Sequence, residues 1–139
     1  MGVRREGREA AVQYLYLCEV NGECDLLSFY KFRGLSPSAR KFCDGLVAGA
    51  AAQQAVIDEV IRKHTQNYEL NRISAVDRNV LRIAIYEMLH CPETPPVVSI
   101  NEAIEIAKKY STEESGRFVN GVLDQVRSGL NRPARTASS

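Results

Sequence analysis

Arg4, Arg5 and Arg8 are the residues whose type and spacing point most directly to chemistry. They fall within about one and a half turns of a helix, so their guanidiniums can share one surface. The planar guanidinium fork donates two parallel hydrogen bonds, which suits phosphate. Glu6 and Glu9 interleave with them, and by composition alone such a cluster is more often a solvated helix start. Three phosphate contacts would also give a salt slope of only about −2 on single-stranded RNA. A second cluster joins Tyr110 and Phe118 to Lys108, Lys109 and Arg117. Aromatic residues at this spacing bury large areas and usually belong to a core. Their functional reading is a platform on which a base stacks, worth about 1–3 kcal/mol.

Other reactive side chains have simpler readings. Glu87 shares a helical face with Val80 and Ile83, so it must be paired when buried. Without a second acid or base nearby it has a structural role, expected to be accepting backbone N–H groups at the start of the helix that carries Ile100. Cysteines stand at 18, 24, 43 and 91, and the histidines are His64 and His90. No C-x-x-C pair occurs and no spacing matches a zinc template. The cysteines are expected to be reduced and structural. Walker, dinucleotide, H-E-x-x-H and G-x-S-x-G motifs are absent as well, so neither an enzyme nor a bound metal or cofactor is expected.

The elements that position these residues are read as helical throughout. The 139 residues carry 45% hydrophobic and 25% charged side chains and a formal net charge of +1. That composition fits one globular domain. A protein held to nucleic acid by bulk charge would be far more basic. No apolar run is long enough for a membrane span, and the start lacks the apolar stretch of a secretory signal, so a cytoplasmic location is expected.

A first helix is expected from near Arg4 or Arg8 to about Val20, burying Ala11, Tyr14, Leu15 and Cys18 and stopping at Asn21-Gly22. A short helix over Asp25–Phe32 ends at Gly34. Ser36-Pro37 supplies an N-cap and a first-turn proline. The long helix that follows should bury Phe42, Leu46, Gly49, Gln53, Val56, Ile57, Val60 and Ile61, with Asp58/Arg62 and Glu59/Lys63 pairs outside. Gly45 and Gly49 share a face, and each costs about 1 kcal/mol against alanine, so both read as places of close helix approach. Ser74 and Asp77 open a central helix to about Leu89, with Asp77 and Arg78 as first-turn charges. Capping boxes are read at Ser99–Glu102 and Ser111–Glu114. Residues 1–130 form the domain, and 131–139, NRPARTASS, read as a disordered tail. The expectation is an all-α bundle of six or seven helices.

Three stretches carry a resemblance: RREGREAAVQYLY at 4–16, NYELNRISAVDRNVLRIAIYEML at 67–89, and VSINEAIEIAKKYSTEESGRFVNGVLD at 98–124. Over nearly the whole of 4–130 the chain resembles the NusB family of bacterial transcription antitermination factors. The resemblance implies two small helical subdomains packed together, and a heterodimer with NusE, a small-subunit ribosomal protein. It implies binding of boxA, a short single-stranded RNA element of ribosomal RNA operon leaders, and recruitment to an antitermination complex on RNA polymerase. By position, RNA contact falls on Arg4, Arg5 and Arg8, with Glu114, Arg117 and Phe118 near the RNA; Lys108 joins them as a neighbour of the aromatic cluster. Partner contact falls on Tyr16 and Asp77. Apart from the resemblance, Glu87, Asn101, Gly45 and Gly49 are read as structural positions. Glu6 interrupts the arginine-rich start, and Tyr68 stands where many relatives carry tryptophan. The helical domain also resembles the RNA-binding module of ribosomal RNA cytosine methyltransferases, and a homodimer that masks its RNA surface is the third reading.

Overall fold

The computed structural model describes residues 2–22, 24–65 and 69–130. Among them seven α-helices follow in order: α1 Val3–Asn21, α2 Leu26–Arg33, α3 Pro37–Ala52, α4 Gln54–Lys63, α5 Ala75–His90, α6 Pro96–Tyr110 and α7 Glu113–Ser128, with a 3-10 turn at Leu70–Arg72. Tyr68 and the stretch 131–139 lie outside the described residues. No helix among the described residues is long and apolar enough to cross a membrane.

Local signals set most boundaries. Gly22 and Gly34 take the left-handed conformation, with φ of 76° and 71°, and close α1 and α2. The side chain of Ser36 accepts from the Ala39 N–H ahead of α3, and that of Ser74 from the Asp77 N–H ahead of α5. α5 is the central helix, packed against α1, α3, α4, α6 and α7. Leu81, Ile85 and Met88 from its flanks meet Ile57, Ile61 and Leu123 in a core shared by the α1–α4 and α5–α7 groups.

Several expectations are corrected. The long helix breaks at Gln53, which leaves the helical conformation at φ −106° and ψ 14°. The turn sends Ile57 and Ile61 into the core and leaves Val56 54% exposed. Asp58 is not on a solvated face: it is buried and receives two hydrogen bonds from Arg82, at 2.8 and 3.0 Å. Ser99 caps nothing. α6 begins at Pro96, so Ser99 is already inside it, buried, with no hydrogen-bond partner for its hydroxyl among the described residues. The second cap lies one residue later than read, because Thr112 accepts the Ser115 N–H at 3.0 Å.

The glycines divide. A methyl group at Gly49 would overlap the Tyr86 ring, whereas at Gly45 it would meet nothing within 4 Å. Gly45 is therefore not a packing site. A close approach to another helix's backbone occurs instead at Gly7, where a Cβ would stand 3.0 Å from the Ala39 carbonyl of α3. Cys18 and Cys24 form a disulfide, contrary to the reduced pair expected, because the left-handed turn at Gly22 folds the chain back on the end of α1. Cys43 is buried, and Cys91 is half-buried.

Candidate RNA and partner interface

α1 presents its charges to the rest of the molecule, and this decides which of them remain available. Arg8 lies on the face that also carries Ala11 and Val12, so helix geometry turns it inward. Its side chain is 5% exposed and forks onto Glu87, with Nε–Oε1 at 2.7 Å and Nη2–Oε2 at 2.8 Å. Glu102 adds a second carboxylate at 3.5 Å. Burial pushes the Arg8 pKa down, but the hydrogen bonds and charge of Glu87 outweigh it, and the net value is raised. A guanidinium held this way has no face for phosphate, so the assignment of Arg8 to RNA contact is corrected to a structural role. Glu87 is corrected with it, since it accepts from Arg8 and not from backbone N–H groups of α6.

Arg5 is intermediate. It pairs with Glu102 and keeps 35% of its side chain exposed. The hydrogen bond from Arg5, with its charge, holds the Glu102 carboxyl below the usual range against the opposing effect of burial. Arg4 is exposed and has no carboxylate partner among the described residues; its guanidinium lies 5.8 Å from the centre of the Phe42 ring. Glu9 is buried and accepts from Lys109 and from the Tyr110 hydroxyl, both at 2.8 Å. Tyr110 thus anchors α6 to α1 through its hydroxyl, while its ring lines the groove beside Tyr16. Glu19 ties the far end of α1 to Arg78 and Arg82 of α5.

Other site residues gather around the start of α5. Asp77, Glu114 and Phe118 line one groove of about 270 Å³ together with Arg72, Ser74 and Ser115. Asp77 is buried, not the solvated first-turn charge it reads as in sequence. One carboxylate oxygen accepts from the Ser115 hydroxyl at 3.2 Å, and the other has no hydrogen-bond partner among the described residues. Burial raises its pKa, and the hydrogen bonds from Ser115 and Ser74 offset that only in part. Tyr16 lines a second, more apolar groove of about 390 Å³ with Leu17, Phe29, Phe32, Arg33 and Val76. Phe32 is 93% exposed there. Val76 and Asp77 are neighbours on α5, so the two partner-contact candidates, Tyr16 and Asp77, open on adjacent grooves.

Lys108 and Arg117 are exposed; Lys108 reaches Glu105 at 3.5 Å and Glu113 at 3.8 Å. Asn101, expected as a structural position, is exposed on α6 beside the buried Ile100. Sequence reasoning missed the Arg8–Glu87, Arg82–Asp58 and Glu9–Tyr110 pairs. One signal for the first was present: a charged residue at Arg8 one turn before Ala11 on an apolar face. Among the described residues no group of three or more His, Cys, Asp or Glu side chains is placed to hold a metal ion.

This architecture has close relatives. Residues 5–128 match the NusB family. A transcription antitermination protein NusB of Sorangium cellulosum (strain So ce56) is 44% identical over 97% of this chain and 99% of its own length. Another from Bacillus cereus (strain ATCC 10987 / NRS 248) is 43% identical, covering 91% and 98%. Among solved structures, T. maritima NusB superposes with a TM-score of 0.84 at 37% identity, over 93% of each chain. A crystal structure of antitermination factors NusB and NusE in complex with dsRNA superposes at 0.82 and 27% identity, over 94% of this chain and 99% of that one. With seven helices among the described residues, a central α5 and these matches along nearly its full length, the chain belongs to the NusB family.

Proposed function

We propose that this NusB-family antitermination factor binds boxA-type single-stranded RNA as a heterodimer with NusE and helps assemble an antitermination complex on RNA polymerase, notably for ribosomal RNA operons. The observation that carries this reading is the pair of grooves that meet at the start of α5, where Val76 lines one and Asp77 the other. One, beside Tyr16, is apolar and exposes Phe32, as a protein partner requires. The other places Asp77 with Glu114 and Phe118, next to where such a partner would sit.

A composite surface also accounts for the charge. Net charge is only +1, and Arg5, Arg8, Arg78 and Arg82 are engaged by carboxylates inside the protein. With so small a net charge and these four arginines engaged, bulk attraction to phosphate is weak, and a basic partner would strengthen it. Bases of a single strand would be read on their exposed edges, as RNA specificity usually requires.

The test is fluorescence anisotropy of a labelled boxA-type RNA, with and without NusE, at two salt concentrations. Tight binding is expected only with NusE. Arg4→Ala should weaken it without changing the melting temperature, whereas Arg8→Ala should act by lowering stability. Absence of sequence-selective binding in both conditions would overturn the reading and leave the family assignment intact.

A further inference from the structure

We propose that the groove between the first turn of α1, the middle of α3 and the end of α5 is a nucleotide subsite: Arg4 and Lys41 hold a phosphate, and a base lies against Phe42 and Tyr86. The proposal rests on the RNA-binding reading and adds to it a place remote from the Phe118 groove.

The groove measures about 510 Å³ and is lined by these residues with Val3, Gly45 and His90. That volume lies in the range of about 300–1,000 Å³ common for small-molecule sites. Its floor is apolar and aromatic. Its rim carries Arg4 and Lys41, both exposed and neither paired with a carboxylate among the described residues, against one acid, Glu93. An aromatic, apolar floor beside two cations without carboxylate partners complements a ligand that is flat at one end and anionic at the other. A nucleotide has this form, and aromatic floors stack any base. The groove begins at Arg4, the one residue of the arginine cluster with no carboxylate partner among the described residues, so a strand held at the start of α1 would run directly into it.

Gly45 is the second observation. It stands in mid-helix, exposed, with no positive φ and no neighbour within 4 Å of a Cβ, so neither a turn nor packing requires a glycine. It nevertheless forgoes about 1 kcal/mol of helix propensity. Its missing side chain leaves the α3 side of the groove, which Gly45 lines, unfilled.

The decisive variant is Gly45→Leu, which fills the groove while favouring the helix. Its melting temperature should equal or exceed the wild type's. With NusE present, its affinity for the labelled boxA-type RNA should fall about tenfold, the scale of losing one stacked base. Lys41→Ala should weaken binding several-fold and reduce the salt slope by about 0.7. Undiminished RNA binding by Gly45→Leu overturns the proposal and leaves the RNA reading standing. A second arm titrates the ¹⁵N-labelled protein with 5′-AMP. If the wild type binds no RNA, shifts at Gly45, Lys41 and His90 that vanish in Gly45→Leu establish a site for free nucleotides. No shifts, together with no RNA binding, remove both readings.

Discussion

Two carboxylates set the residue-scale behaviour of this molecule, and they differ in sign. Glu87 is fully buried and balanced by Arg8. Removing one member of a buried pair leaves an uncompensated charge, which costs about 3–5 kcal/mol. Glu87→Ala should therefore lower the stability measured by urea unfolding by that amount. The double replacement Arg8→Met with Glu87→Leu should recover most of it, since apolar groups of similar volume replace such pairs well. Asp77 is buried with one oxygen unpartnered, and its pKa is raised, first by burial. The fold thus favours its protonated form: that preference stabilises below the ordinary carboxylate range and is lost as pH rises through the raised value. Asp77→Asn should raise the melting temperature at neutral pH and should no longer do so at acidic pH. If Asp77 faces NusE as proposed, the same variant should weaken the heterodimer in a calorimetric titration. The identities of both residues were legible in the sequence, but their partners were not. Arg8 and Glu87 are 79 residues apart, and nothing local in either helix specifies the other.

At the scale of elements, local chemistry read well wherever a single residue decides it. Gly22, Gly34, Ser36 and Ser74 terminate or begin helices where their types imply. Reading failed where tertiary packing decides. α6 starts at Pro96 because Pro95–Pro96 gives three residues of helix before Ser99, and its burial turns a good capping residue into an unpaired hydroxyl. The break at Gln53 has no Gly or Pro to announce it; α4 bends so that Ile57 and Ile61 reach α5. The glycines of α3 show the same division and give a paired prediction. Gly45→Ala should stabilise by up to about 1 kcal/mol, the helix propensity difference in an open position. Gly49→Ala gains the same propensity but drives the Tyr86 ring from its place, so its net effect should be destabilising. Opposite shifts in thermal unfolding would bear out the assignment, and equal shifts would refute it.

Across the whole molecule, α1 is fastened at both ends by carboxylate–arginine contacts. Glu102 meets Arg5 near its start, and Glu19 meets Arg78 and Arg82 near its finish. The arginine hydrogen bonds hold both carboxyls below their ordinary value of 4.5, against the effect of burial. A carboxyl with a depressed folded pKa stabilises above its unfolded value and loses that contribution as pH falls through the folded one. Melting temperatures should therefore hold steady down to about pH 5 and decline below about pH 4.5, as α1 is released from α5 and α6. Glu19→Gln should flatten the decline; an unchanged acid profile would show that other groups govern it. The fold class and its central helix were legible because apolar periodicity reports them directly. The interface was legible mainly through resemblance, since grooves depend on which helix ends meet. The buried pair also constrains how this chain can change over generations. Substitution at position 8 or 87 alone strands a charge in the core, so a lineage must pass through a weakened intermediate or change both together. Across aligned relatives, the two positions should covary as a coupled pair, with position 102 following them more loosely.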